Sequence, residues 1–116
     1  MTGEREALAG RLRAALADEP STVEKPMFGT RAFLVRDRIV ACAQKEGDLL
    51  VRIPAERHGS LLTYPGAIQA EMGAGRSMGP GWISVAADAL DGDGLALWLE
   101  VALEHNRRSS EPASSV

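Results

Sequence analysis

The stretch RAFLVRDRIVACAQKEGDLLVRI, residues 31–53, decides the fold class. It holds three short runs of aliphatic, aromatic and β-branched residues, which are the types that favour strands. The turns between them, Asp37-Arg38 and Glu46-Gly47-Asp48, are far shorter than the crossover that parallel strands need. The stretch therefore predicts an antiparallel meander with strands at 31–36, 39–44 and 49–53.

One strand is predicted before this meander and two after it. The first covers 23–28 and contains Pro26, which places it at a sheet edge or a bulge because proline cannot donate to the ladder. The other two cover 67–72 and 82–86. Between them lies the glycine-rich connection 73–81, the most irregular stretch of the chain.

Three helices are predicted around the strands. The stretches 4–18 and 94–107 carry apolar residues three and four positions apart, and 55–63 follows a proline that can open a helix. Aspartates in the segment 91–94 can cap the third helix. Helices segregated from strands predict an α+β fold, with an antiparallel sheet of about five or six strands covered by N-terminal, short middle and C-terminal helices.

The third helix is apolar on several sides, which indicates deep burial or a subunit contact. Trp98 lies in its apolar stripe, and both Trp98 and Trp82 are predicted to be core residues. The breadth of the apolar arc motivates a further hypothesis, a homodimer formed through this C-terminal helix. A partner protein on the same surface is the alternative.

Length and charge narrow the class of protein. With 116 residues and 45% hydrophobic content, we expect one folded domain over 1–108 and a frayed, disordered tail over 109–116. The net charge of -3 argues against direct nucleic-acid binding. The chain has no apolar run long enough for a membrane span and no secretory signal at its start, and its single cysteine fits a reducing compartment. We therefore expect a cytoplasmic protein.

Arginines are the residues most suggestive of a binding site. Arg52 ends an apolar strand, where a charged group needs a partner, and an ion pair with Glu24 or Glu71 would provide one. The alternative is an anion site in which arginines act with backbone amides of the glycine-rich connection. The candidate ligand-binding residues are then Arg31, Arg52, Gly75 and Arg76.

Catalytic and metal chemistry find little support. Cys42 lies in an alternating strand and is predicted to be a small buried thiol. His58 and His105 fall on predicted helices with polar neighbours and are expected to be solvated. The spacing of these residues does not suit zinc, and the segment 91–94 lacks the later glutamate of a calcium loop. We expect no catalytic residues, no metal and no cofactor.

Several short segments occur in an order and spacing that are typical of a known protein family. These are EKPMFG at 24–29, DLLVR at 48–52, GRSM at 75–78 followed by WISV at 82–85, and the helix at 97–107. Together they resemble the N-terminal domain of the TfoX/Sxy competence-regulator family. The resemblance spans about 85 residues, and Thr30 and Ser77 depart from it, standing where the family has a glycine and a proline.

The resemblance implies an α+β domain of bacterial type without known catalytic residues. Full-length regulators of this family carry a second, C-terminal domain, and only a short tail follows Arg108 here. We therefore expect a stand-alone protein in which competence or transcription activity does not carry over. The leading hypothesis is a non-enzymatic interaction or regulatory domain. The alternative is a small-molecule or anion-binding protein, or an enzyme, that uses the connection 73–81, and DNA binding is a third interpretation.

Overall fold

A computed structural model describes residues 3–19, 21–27, 29–71 and 75–110, with side chains through residue 108. Over these residues the chain has the predicted α+β fold, with a six-stranded antiparallel sheet. The spatial order of the strands is β1-β2-β3-β4-β6-β5, so the meander continues to β4 and the last hairpin joins through β6. The strands are β1 (Thr22–Met27), β2 (Thr30–Val35), β3 (Arg38–Ala43), β4 (Leu49–Arg52), β5 (Ala67–Gln69) and β6 (Trp82–Val85).

Three helices accompany the sheet: α1 (Glu4–Ala15), α2 (His58–Leu61) and α3 (Gly94–Ser110). Short 3₁₀ turns precede the last two, at Ala55–Arg57 and Ala87–Leu90. The first helix is shorter than predicted, and α3 continues to Ser110, beyond its predicted end. Residues 111–116 of the predicted tail lie outside the described residues. None of the described helices is long and apolar enough to cross a membrane.

The turn between β2 and β3 lies one residue earlier than predicted. Arg36 and Asp37 both have positive φ, 54° and 67°, which is the backbone of a two-residue hairpin turn. The register of the β2–β3 pair then shifts by one residue, because Phe33 faces Ala41 whereas Leu34 faces Ile39. This bulge turns Ile39 to the opposite face of the sheet from Val40 and Ala41.

One face of the sheet packs against α1 and α3 and forms the main core. Phe33, Val51 and Ile83 from the strands meet Leu12 of α1 and Trp98 of α3, all almost fully buried. The prediction that Trp98 is a core residue is therefore confirmed, with 2% of its surface exposed. Most of the apolar arc of α3 is used in this core, which accounts for its breadth.

The other face of the sheet carries a second, smaller cluster. Its buried members are Ala32, Cys42, Leu50 and Ala70. Around them lie the partly buried side chains of Met27, Leu34, Ile39, Met78 and Trp82. All of these residues come from strands or from the connection between β5 and β6, so no described helix contributes to the cluster. We call this the helix-free face.

Candidate functional site

His58 is buried, and its ring joins three parts of the fold. Its Nδ1 accepts a hydrogen bond from the Gly81 amide at 2.9 Å, and its Nε2 lies 2.7 Å from the Gln69 side-chain oxygen. Since Nδ1 is the acceptor, Nε2 carries the hydrogen and donates it to Gln69. The expectation of a solvated histidine was wrong, because α2 turns His58 into the protein. Both ring nitrogens are therefore hydrogen-bonded within the fold.

Gln69 extends this network into the glycine-rich connection. Its side-chain amide donates to the carbonyls of Gly79 at 3.0 Å and Trp82 at 3.3 Å. The Gly79 amide in turn donates to the Ser77 hydroxyl at 2.9 Å, and the Gly81 amide is held by the histidine. The described part of the connection thus directs two of its glycine amides to protein acceptors. Residues 72–74, including the predicted end of the fifth strand, lie outside the described residues.

Cys42 lies on the helix-free face with 4% of its surface exposed, which confirms the predicted buried thiol. Burial raises the pKa of this thiol to about 11, and a hydrogen bond with Thr30 acts weakly in the opposite direction. The group is therefore protonated at neutral pH, and a protonated thiol is a poor nucleophile.

The thiol lies at the side of an apolar depression on this face, which we call the sheet-face groove. The groove has a volume of about 520 Å³. Its apolar lining consists of Met27, Ile39, Cys42, Leu50, Met78 and Trp82. Met78 reaches the groove because its amide donates to the Ala70 carbonyl at 2.9 Å, which folds the connection back over the sheet.

The predicted arginine cluster is not assembled in the structure. Arg31 faces α1 and forms ion pairs with Glu6 at 3.5 Å and Glu24 at 3.6 Å. Arg52 lies on the helix-free face, two strands away and at the opposite end of the sheet. Arg76 is exposed in the connection, beside Gly75 with its positive φ of 74°.

Arg52 also lacks its predicted carboxylate partner. Its guanidinium carbon lies 5.0 Å from the ring centroid of Trp82, its neighbour across the β4–β6 pair, in a cation–π contact. Glu24 instead accepts two hydrogen bonds from Arg13, at 2.8 and 2.9 Å, which lower the pKa of that carboxyl. Trp82, predicted to be core, is only partly buried and lies at the edge of the groove beside this arginine.

A second depression adjoins the groove at the end of the sheet, and we call it the cationic cleft. Its volume is about 180 Å³, and it shares Ile39 and Trp82 with the groove. The remaining lining residues are Arg38, Arg52, Ala102, His105 and Asn106.

Burial lowers the pKa of His105 and Arg52 lowers it further, whereas Glu56 raises it; Arg108 and Arg38 add smaller lowering effects. His105 is therefore half-buried in a positive environment rather than freely solvated. Arg38 is not among the residues predicted to bind a ligand. The predicted antiparallel meander is the feature that could have indicated its proximity to Arg52, because the start of β3 and the end of β4 meet at one end of the sheet.

Metal binding has no support in the part of the chain that the structure describes, where no group of three or more His, Cys, Asp or Glu side chains could hold an ion. Comparison of the chain with protein-family models, with curated proteins and with solved structures found no match. The sheet-face groove and the cationic cleft are therefore interpreted from their own chemistry.

Proposed function

We propose that this chain is a non-enzymatic interaction domain that binds a partner protein in the sheet-face groove. The observation that carries the proposal is an apolar groove on a sheet face to which no described helix contributes. Its resemblance to the N-terminal domain of TfoX/Sxy regulators agrees with a regulatory role of bacterial, cytoplasmic type.

The residue types in and around the groove favour a protein as the occupant. Met27, Met78, Trp82 and Arg52 are of the kinds enriched at protein interfaces, and methionine adapts its shape to different apolar partners. Ile68 is 63% exposed and points to the same face, since it pairs with Ser84 beside the groove. We propose an extended segment that places its apolar side chains in the groove.

The two groups best suited to catalysis, a thiol and an imidazole, are buried within the fold. The Cys42 thiol is buried and protonated at neutral pH, and His58 uses both ring nitrogens within the fold. These features support binding rather than chemistry as the role of the domain.

A homodimer through the C-terminal helix stays a second candidate. Leu97 on α3 is 39% exposed and could contribute to such a contact. Trp98, Leu99 and Ala102 on the same helix are buried in the chain's own core, so the apolar area left on α3 is small. Sedimentation at high micromolar concentration tests this candidate, because a dimer would show a mass that rises with concentration.

Matched variants distinguish the sheet-face groove from the surface of α3 as the binding surface. Each variant is used to capture partner proteins from a native cell extract. Ile68→Asp places a charge beside the groove, and Leu97→Asp places the same charge on α3. Both positions are exposed, so both variants should fold, which circular dichroism checks. We expect a protein retained by the unmodified chain and by Leu97→Asp to be lost with Ile68→Asp. Loss with Leu97→Asp alone, or an unchanged set of bound proteins, would contradict the proposal.

A further inference from the structure

We propose that the cationic cleft at the end of the sheet is a binding site for a compact oxyanion, that is, a carboxylate or phosphate group. The cleft is built from three elements that the fold brings together. Arg38 begins β3, Arg52 ends β4, and His105 projects from the last turns of α3. The site does not depend on a partner protein in the groove and so goes beyond the proposed function.

No carboxylate in the described part of the chain lies within ion-pair distance of the two arginines that line the cleft. In the same part of the chain, carboxylates lie within ion-pair distance of five other arginines, namely Arg5, Arg13, Arg31, Arg36 and Arg107. Neither Arg38 nor Arg52 has such a partner among these residues. Uncompensated guanidinium groups around a concave surface attract anions, and each can bind an oxyanion with two parallel hydrogen bonds.

The surroundings of His105 are also predominantly positive. The charged groups that face it are Arg38 from β3, Arg52 from β4, Glu56 from the 3₁₀ turn and Arg108 from its own helix. Burial first and then the three cationic groups, Arg52 foremost, lower the pKa of the histidine against the opposing effect of Glu56. An anion in the cleft would reverse part of this effect, because a negative charge favours the protonated ring.

Size and rigidity point to a small ligand group. A volume of about 180 Å³ is well below the roughly 300–1,000 Å³ of pockets for drug-sized ligands, so the cleft suits one anionic group rather than a nucleotide. Stacking on Trp82 holds the Arg52 guanidinium in place, which reduces the ordering that binding requires. The shared walls with the groove leave room for an apolar body attached to the anion.

The test follows the His105 ring by NMR while the pH is varied. The titration is done in chloride, in sulfate and in formate at equal ionic strength. Sulfate is the tetrahedral probe and formate the carboxylate probe, and the titration is kept well above the pKa of formic acid so that both probes stay charged. Equal ionic strength is essential, because salt alone weakens the repulsion from the arginines and raises the pKa of the histidine.

We expect sulfate or formate to raise the pKa of His105 above its value in chloride, saturably with concentration. A rise of one unit corresponds to about tenfold tighter anion binding by the protonated protein. The double variant Arg38→Gln/Arg52→Gln should abolish the difference between the salts. Arg76→Gln removes an exposed arginine outside the cleft and should preserve it. Equal values in all three salts, or a difference that survives the double variant, would overturn the proposal.

Discussion

Replacing His58 by alanine tests the buried hydrogen-bond network most directly. A solvated histidine, as the sequence suggested, could be replaced with a change in stability of about 0.5 kcal/mol or less. In the structure the residue is 9% exposed, and its ring forms hydrogen bonds with the amide of Gly81 and the side-chain oxygen of Gln69. The substitution would leave both groups without their partner.

The expected cost follows from these two groups. An unsatisfied buried polar group costs about 1–3 kcal/mol in the free energy of unfolding. We expect a cost of this size from the buried Gly81 amide and a smaller additional cost from the partly buried Gln69 oxygen. A domain typically has only about 5–15 kcal/mol of stability, so the effect should be large. His58→Asn offers an oxygen near the position of Nδ1 and can keep the buried bond from Gly81, so it should lose less than half as much as His58→Ala.

Urea denaturation of the two variants and the unmodified chain measures these differences. His105→Ala is the matched control, since this histidine is only half-buried and should tolerate the change. Hydrogen exchange gives an independent measurement, because the Gly81 amide should exchange faster once its acceptor is removed. A loss below about 0.5 kcal/mol for His58→Ala would refute the argument that the histidine holds this part of the fold together.

Three further predictions concern a glycine, the thiol and a carboxylate. Gly66 has a φ of 79°, and an added Cβ would approach a neighbouring methyl group to 2.5 Å. Gly66→Ala should therefore lower the free energy of unfolding, measured by urea denaturation, by more than about 1 kcal/mol. Gly10→Ala, in a helix with open space around it, should instead be neutral or stabilising. The Cys42 thiol should react slowly with a thiol reagent at pH 8 in the native protein and quickly in urea, because burial raises its pKa to about 11; rapid native reaction would contradict this. The pKa of Glu24 is lowered by the Arg13 bonds, so its stabilisation should be present above the unfolded pKa and be lost as the pH falls through the folded pKa. Urea midpoints of Glu24→Gln and the unmodified chain should therefore differ near neutral pH and converge in acid.

The fold was largely predictable because its evidence is local. Short turns forced antiparallel pairing, and apolar spacing marked the helices α1 and α3 within a few residues of their ends. The hairpin turn lies at Arg36-Asp37, one residue earlier than the predicted Asp37-Arg38. Both dipeptides are polar enough for a turn, and the bulge opposite Phe33, which sets the register, is not visible in the sequence pattern.

The candidate site was less predictable, because it depends on which residues meet across the sheet. Arg31 and Arg52 were assigned to one site, but Arg31 faces the helices whereas Arg52 lines the cationic cleft. A one-residue change in strand position moves a side chain to the other face, so a list of arginines does not reveal which of them share a cleft.

The sequence by itself determined the antiparallel sheet, its strand and helix types, and the burial of Cys42 and Trp98. These features follow from apolar periodicity and turn chemistry, which act between residues close in the chain. Only the tertiary structure decided that His58 is buried, that Arg52 stacks on Trp82, and that Arg38 and His105 join it in a cleft. These contacts connect residues far apart in the sequence, such as His58 and Gly81 with a separation of 23, and they depend on strand register and packing.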